Sequence, residues 1–179
     1  GASGGAGRFT GEALPSRSAQ LGEDHPDTIA VAVNLAALLA SHGRFEAALP
    51  EFERVLAART RVLGPSHFDT IGVLVNLGGL HVRLGQLDAA AARLNEALQA
   101  LGPTPDDRSP VYQVALANLA VVERNRFHWP RAIELGEQLL ALRERTRGPA
   151  HPETLTTLIT LADTQRKAGD VGAAIARLT

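Results

Sequence analysis

The chain has 179 residues, the size of one ordinary domain and enough to bury a core, and its formal charge of −1 gives it no global pull toward nucleic acid or anionic membrane, so charge-based recognition has to be local. It contains no cysteine, which excludes disulfides, thiolate metal sites, iron–sulfur clusters and a cysteine nucleophile. No apolar run approaches the roughly 20 residues of a membrane-spanning helix and no charged-then-apolar signal segment opens the chain, so a soluble, cytoplasmic protein is expected.

Residues 1–6, Gly-Ala-Ser-Gly-Gly-Ala, have no side chains to pack and read as a flexible linker within an N-terminal segment, 1–20. Gly7-Arg8-Phe9-Thr10-Gly11-Glu12-Ala13-Leu14-Pro15 echoes Gly43-Arg44-Phe45-Glu46-Ala47-Ala48-Leu49-Pro50, which predicts an abbreviated remnant helix at roughly 8–19. The chain holds no Met, not even an initiator, so a piece of a longer protein is expected. Arg outnumbers Lys by 17 to 1, which together with abundant Ala, Leu and Gly suggests a GC-rich, bacterial genome.

From residue 21 the sequence repeats itself every 42 residues. Leu21-Gly22-Glu23-Asp24-His25-Pro26-Asp27-Thr28 returns as Leu63-Gly64-Pro65-Ser66-His67-Phe68-Asp69-Thr70, and two periods later as Arg147-Gly148-Pro149-Ala150-His151-Pro152-Glu153-Thr154. The third copy, around Ser109-Pro110-Val111-Tyr112, has lost the His and Asp. Inside the copies, Asn34-Leu35-Ala36, Asn76-Leu77-Gly78, Asn118-Leu119-Ala120 and Thr160-Leu161-Ala162 keep the same register, as do Gly43, Gly85 and Gly169, with Phe127 in the glycine's place. Four copies follow: 21–62, 63–104, 105–146 and an incomplete 147–179.

Each copy reads as two helices. In the first, Pro26 suits an opening turn, and Asp27 puts negative charge at the positive end of the helix dipole. Ile29, Ala32, Leu35, Ala36 and Leu39 then recur at helical spacing, and Gly43 supplies the left-handed residue that ends such a helix. The second helix carries Phe45, Ala48, Leu49, Phe52, Val55 and Leu56 and stops before the Leu63-Gly64-Pro65 breaker. A helix pair cannot cover its own apolar face, whereas stacking the next pair does, which gives a solenoid held by neighbour-to-neighbour packing. Small residues in register, Ala36/Gly78/Ala120/Ala162 and Ala48/Ala90/Ala132/Ala174, let facing backbones approach, so a large residue at Ala132 is expected to overpack the contact by about 1–3 kcal/mol. The three prolines of 101–110 predict a longer loop and a shortened second helix in copy two, and the last copy leaves about nine residues for its second helix.

These strings, Leu-Gly-x-x-His-Pro-Asp-Thr at 21–28, Asn-Leu-Ala at 34–36 and Gly-Arg-Phe-x-x-Ala-Leu-Pro at 43–50, resemble tetratricopeptide repeats, specifically the 42-residue kinesin-light-chain-like variety, over residues 21–179. The resemblance implies an all-α, right-handed superhelical solenoid of antiparallel helix pairs in which the first helix of each pair lines a concave groove. It implies a non-enzymatic scaffold that binds an extended peptide segment of a protein partner in that groove. By that phase the groove positions include Asn34, Val75, Asn76, Val82, Arg83, Asn118, Val121, Arg124, Asn125, Thr160, Arg166 and Lys167. An amide both donates and accepts, so Asn34, Asn76 and Asn118, with Thr160 as a weaker substitute, can pair with a peptide backbone whatever its sequence. Arg83, Arg124, Arg166 and Lys167 against one acid, Asp163, suit a segment apolar at one end and acidic at the other.

Other chemistries fit less well. His25, His67 and His151 occupy one phase of different repeats, too far apart to share a metal ion, and read as residues that open helices; His42 and His81 stand singly. There is no His-Glu-x-x-His, no Gly-x-Ser-x-Gly and no phosphate loop, so no metal, catalytic site, cofactor or small-molecule substrate is expected. Trp129 precedes Pro130 at a phase elsewhere held by Phe45, Leu87 and Val171 and reads as a packing residue. An RNA-binding solenoid would need a more continuous basic or stacking surface than this chain offers. A structural or oligomerisation segment of a larger regulator or effector is the remaining alternative.

Overall fold

The structure, a computed structural model, is described here over residues 21–103, 106–107 and 109–178. The linker and the remnant helix expected within residues 1–20 lie outside the described residues. The described residues form α-helices and no strand: α1 Pro26–Ser41, α2 Phe45–Leu63, α3 Phe68–Arg83, α4 Leu87–Leu101, α5 Pro110–Asn125, α6 Trp129–Arg147, α7 Pro152–Lys167 and α8 Val171–Leu178. At 15 residues α4 is shorter than the 19-residue α2 and α6, the consequence of the proline-rich stretch after it. The chain divides into two compact units, Gly1–Gln86 with α1–α3 and Leu87–Thr179 with α4–α8. The division falls inside the second period. Within each unit every helix packs on the helix before and after it in the chain, as a stack of hairpins requires.

The helix boundaries follow from local chemistry. His25, His67 and His151 are N-caps: each Nδ1 accepts the backbone N–H two residues on, from Asp27, Asp69 and Glu153, at 3.2 Å. This satisfies one of the donors that a helix start leaves free. In the third copy Ser109 stands at the histidine position and does the same work, its Oγ accepting from the Tyr112 N–H at 3.4 Å. At the other end α1 closes with Gly43 at φ 72°, its N–H on the Ala40 carbonyl and the Arg44 N–H on the Leu39 carbonyl, a paired cap that needs a left-handed residue. Phe127 takes that conformation at φ 61° without being glycine, and its ring meets Trp129 edge-on at 5.6 Å.

In unit 1 the core joins Ile29, Ala32 and Ala36 of α1, Ala48, Phe52, Val55 and Ala58 of α2, and Val73, Leu77 and Leu80 of α3. Burying each large member is worth roughly 1.5–3 kcal/mol. In unit 2 Leu116, Leu119 and Val122 of α5 are buried, as are Leu135, Leu139 and Leu142 of α6 and Leu161 of α7. The in-register alanines Ala48 and Ala90 are fully buried, as the close-approach argument requires, whereas Ala120 is only half-buried because it borders a pocket.

Two kinds of arginine contact recur, once in each unit. The Arg59 guanidinium donates to the Asp69 carbonyl at 2.8 Å, and Arg143 donates to the Glu153 carbonyl at 3.1 Å, tying a second helix to the first turn of the next. Arg61 pairs with Asp24 at 2.6 Å, and Arg145 with Asp107 at 2.9 Å, closing one hairpin in each unit.

Candidate functional site

In unit 1 the faces of α1, α2 and α3 form a shallow hollow of about 310 Å³ lined by Ala37, Ala40, Phe45, Phe52, Asn76, Gly79, Leu80 and Arg83. Two of its lining residues are aromatic, and the Arg83 guanidinium lies 5.1 Å from the Phe45 ring centroid, within cation–π range.

Unit 2 builds the equivalent place from α5, α6 and α7. There a pocket of about 160 Å³ is walled by Ala117, Ala120, Val121 and Arg124 of α5, Ala132, Gly136, Leu139 and Arg143 of α6, and Thr156, Thr157, Thr160, Leu161 and Thr164 of α7. Gly136 stands 84 residues after Phe52, so the ring that unit 1 buries has no counterpart here. A Cβ built on Gly136 would come to 3.0 Å from Leu161 Cδ1, which shows how closely the α7 side chain approaches the α6 backbone. The threonine hydroxyls donate back to their own helix: Thr156 to the Pro152 carbonyl, Thr157 to Glu153, Thr160 to Thr156 and Thr164 to Thr160, each at 2.8 Å.

Of the two cations on this wall, Arg143 is already engaged. It donates to Thr157 Oγ1 at 2.7 Å and reaches the Glu153 carboxylate at 3.4 Å. Burial pushes its guanidinium below the ordinary arginine value, with Glu153 pulling the other way. Arg124 has no carboxylate partner among the described residues.

The tetratricopeptide-repeat profile matches residues 10–60, 27–101 and 112–179, nearly the whole chain. The chain belongs to the tetratricopeptide-repeat family. Among solved structures, it is similar to a point variant of a kinesin light chain-like protein of Podosopora anserina with nearly identical tetratricopeptide-like repeats, at 22% identity over 98% of this chain and 83% of that one, with a TM-score of 0.85. BtubC (BKLC) from P. vanneervenii gives 24% identity over 99% of this chain and 70% of that one, with a TM-score of 0.83. MamA protein gives 16% identity over 99% and 80%, with a TM-score of 0.71. At these identities the likeness speaks for the fold, an all-α tetratricopeptide-type solenoid with kinesin-light-chain-like repeats. None of the curated proteins matches the chain.

Against this tetratricopeptide frame the residues expected to face a partner fall into groups. Asn76 and Arg83 meet at the unit 1 hollow, and Val121, Arg124 and Thr160 meet at the unit 2 pocket. Asn34 and Asn125 are exposed and Asn118 half-buried, outside those two linings. Val82 is half-buried. Val75 is a correction: at 5% exposure it belongs to the packed side of α3 and offers no surface. Arg166 and Lys167 are exposed, but both pair with Asp163, at 2.7 and 2.9 Å. The hydrogen bond from Arg166, then that from Lys167, holds the Asp163 carboxyl below its usual range, and this one carboxylate offsets one of the two positive charges. The residues that sequence reasoning passed over are Gly136 and the Arg59/Arg143 pair. Setting copy one against copy three, rather than reading each for its own apolar stripe, would have brought out all of them.

Among the described residues no group of three or more His, Asp or Glu is placed to hold a metal ion, and no helix is long and apolar enough to cross a membrane. Tetratricopeptide-type repeats generally serve as protein-interaction scaffolds.

Proposed function

We propose that this chain is a non-catalytic, cytoplasmic scaffold that holds an extended peptide segment of a protein partner against the first helices of its repeats. One observation carries the reading. The side-chain amides of Asn34, Asn76 and Asn118 make no hydrogen bond to any described residue, and the first two are exposed. An amide in a well-ordered helix that is neither capping nor bridging is free to donate to and accept from a passing backbone. Thr160, at the fourth position of the series, donates its hydroxyl to Thr156 and keeps acceptor capacity only. Arg83 and Arg124 add local positive charge beside apolar surface, which suits a segment mixing apolar and acidic side chains.

The test is capture of partners from a lysate of the source cells, identified by mass spectrometry, with the wild-type chain and with Asn34→Ala/Asn76→Ala/Asn118→Ala. The reading expects the triple variant to keep its helical circular dichroism and lose the captured proteins. Equal capture by both would move recognition off these faces.

A second reading has its own observation. Val171, Ile175 and Leu178 of α8 are 52–59% exposed, an apolar face suited to a structural or oligomerising role. Analytical ultracentrifugation separates the two: a concentration-dependent dimer abolished by Ile175→Asp would favour self-association. RNA binding would instead show as affinity falling steeply with salt.

A further inference from the structure

The turn between α5 and α6 departs from its counterparts in backbone, bracing and surface. Phe127 stands where the other copies have Gly43, Gly85 and Gly169, and it takes the same left-handed backbone, at φ 61°, that penalises any residue with a Cβ. Its ring is 73% exposed, so burial does not offset that strain. Ion pairs brace the turn instead: Arg126 reaches Asp88 at 2.9 Å and the buried Glu123 at 3.2 Å, and His128 reaches Glu123 at 2.7 Å. Copy two holds Leu84, His81 and Gln86 at the positions of Arg126, Glu123 and His128, a set without a carboxylate. Trp129, the one tryptophan of the chain, is half-buried beside Phe127, the two rings standing 5.6 Å apart at 78°. Its indole N–H makes no hydrogen bond to any described residue and is not sealed from solvent.

We propose that this aromatic corner docks an extended, proline-rich segment of a protein partner, with a proline ring against the Phe127 ring and the Trp129 indole N–H donating to a backbone carbonyl of the segment. A strained residue held in place by its surroundings while its side chain faces solvent costs the fold stability, and such outliers mark function. Charge selects a neutral occupant: from 126 to 131 every cation already has its carboxylate, Arg126 and His128 as above and Arg131 on Glu134 at 2.7 Å, so the turn offers no unanswered charge. Shape selects proline. Two nearly perpendicular rings on an exposed turn make a corner without further walls, which cannot enclose a flexible side chain but can stack a rigid ring. A polyproline II segment is preformed and has no internal hydrogen bonds, so it loses little entropy on docking and its carbonyls are free for a donor-only indole. Neither ring lines the hollow of unit 1 or the pocket of unit 2, so the site is separate from the amide faces proposed above.

The test is titration of the whole chain with fluorescein-labelled decaproline, read as peptide anisotropy and, with unlabelled peptide, as emission of Trp129, which no other tryptophan obscures. Wild type should bind saturably with a shift in Trp129 emission, should ignore a Gly-Ser peptide of equal length, and should keep its affinity as salt rises. Phe127→Gly supplies the residue the other copies use, so it removes the ring without breaking the turn, and it should weaken binding tenfold or more with helical circular dichroism kept. Trp129→Phe keeps a ring and loses the N–H, and should weaken binding about fivefold by anisotropy. No binding up to about 1 mM peptide, or equal affinity in wild type and Phe127→Gly, overturns the corner and leaves the groove reading in place. Binding lost in Asn34→Ala/Asn76→Ala/Asn118→Ala but kept in Phe127→Gly would put the peptide on the amide faces and also overturn it. So would a concentration-dependent dimer abolished by Phe127→Gly with no decaproline bound, which would assign the corner to a second copy of the chain.

Discussion

Units 1 and 2 are built to one plan and finished differently. Both tie a second helix to the start of the next through an arginine on a backbone carbonyl, Arg59 in one and Arg143 in the other, and both close a hairpin through an arginine–aspartate pair. Yet where three helices meet, unit 1 has a wide hollow with the rings of Phe45 and Phe52 in its lining, and unit 2 has a smaller pocket with Gly136 in its lining. A repeat frame thus tolerates a change of surface at one position while its joints stay constant, and one of those joints ends on a backbone carbonyl, an atom that every residue possesses.

The sharpest way to break that comparison is at the ring itself. Phe52→Ala removes a side chain that is 5% exposed, and the loss should be about 3–5 kcal/mol, read as a lowered midpoint of urea unfolding. Gly136 offers no ring to lose, so unit 2 should show no equivalent sensitivity at that phase. Next comes overpacking. Ala48→Leu enters a fully buried site and should cost about 1–3 kcal/mol, whereas the same figure expected for Ala132 from its repeat position falls to less than half for Ala132→Leu, because Ala132 lines the pocket. Equal penalties in thermal denaturation would mean that the pocket closes in solution.

A smaller effect is expected where the third copy lacks its glycine. Phe127 holds a left-handed backbone that costs a non-glycine residue about 1 kcal/mol, offset in part by its edge contact with Trp129. Phe127→Gly should therefore be more stable than Phe127→Ala, which keeps the strain and loses the ring; the reverse order in chemical denaturation would contradict this. Smaller still, Asn34→Ala and Asn76→Ala should each change stability by no more than about 0.5 kcal/mol, since neither amide has a bond to lose.

Acid sensitivity separates the hairpin closures from the packed faces. The hydrogen bond from Arg61 holds the Asp24 carboxyl below its ordinary 3.8. A depressed folded-state pKa means stability that is fully present above the ordinary carboxylate range and is lost as pH falls through the lowered value. Asp24→Asn should therefore shallow the acid limb of a melting-temperature profile taken between about pH 2 and 6. An unchanged limb would show that the pair contributes nothing to the fold in solution.

Much of this architecture could be read from the residues in order. The 42-residue period, the proline and histidine that open helices and the glycines that close them are local signals, so they named the helix pairs of the described residues. Of the three asparagines picked out by phase, Asn34 and Asn76 are exposed and Asn118 is half-buried. The same argument failed for Val75, which lies next to Asn76 in sequence but on the packed side of α3, because angular position on one helix does not say how far the neighbouring helix wraps around it. Arg166 and Lys167 share the one carboxylate of Asp163 a turn earlier, so one of their two charges is left over.

By itself, then, the sequence determined the secondary structure, the repeat and the stacking of hairpins, because these depend on caps, breakers and apolar spacing within about 40 residues of chain. Only the tertiary structure decided which faces are hollow. A pocket is the space left among side chains of three different helices, and whether Gly136 leaves a void or is filled by a neighbour depends on how closely Leu161 approaches it.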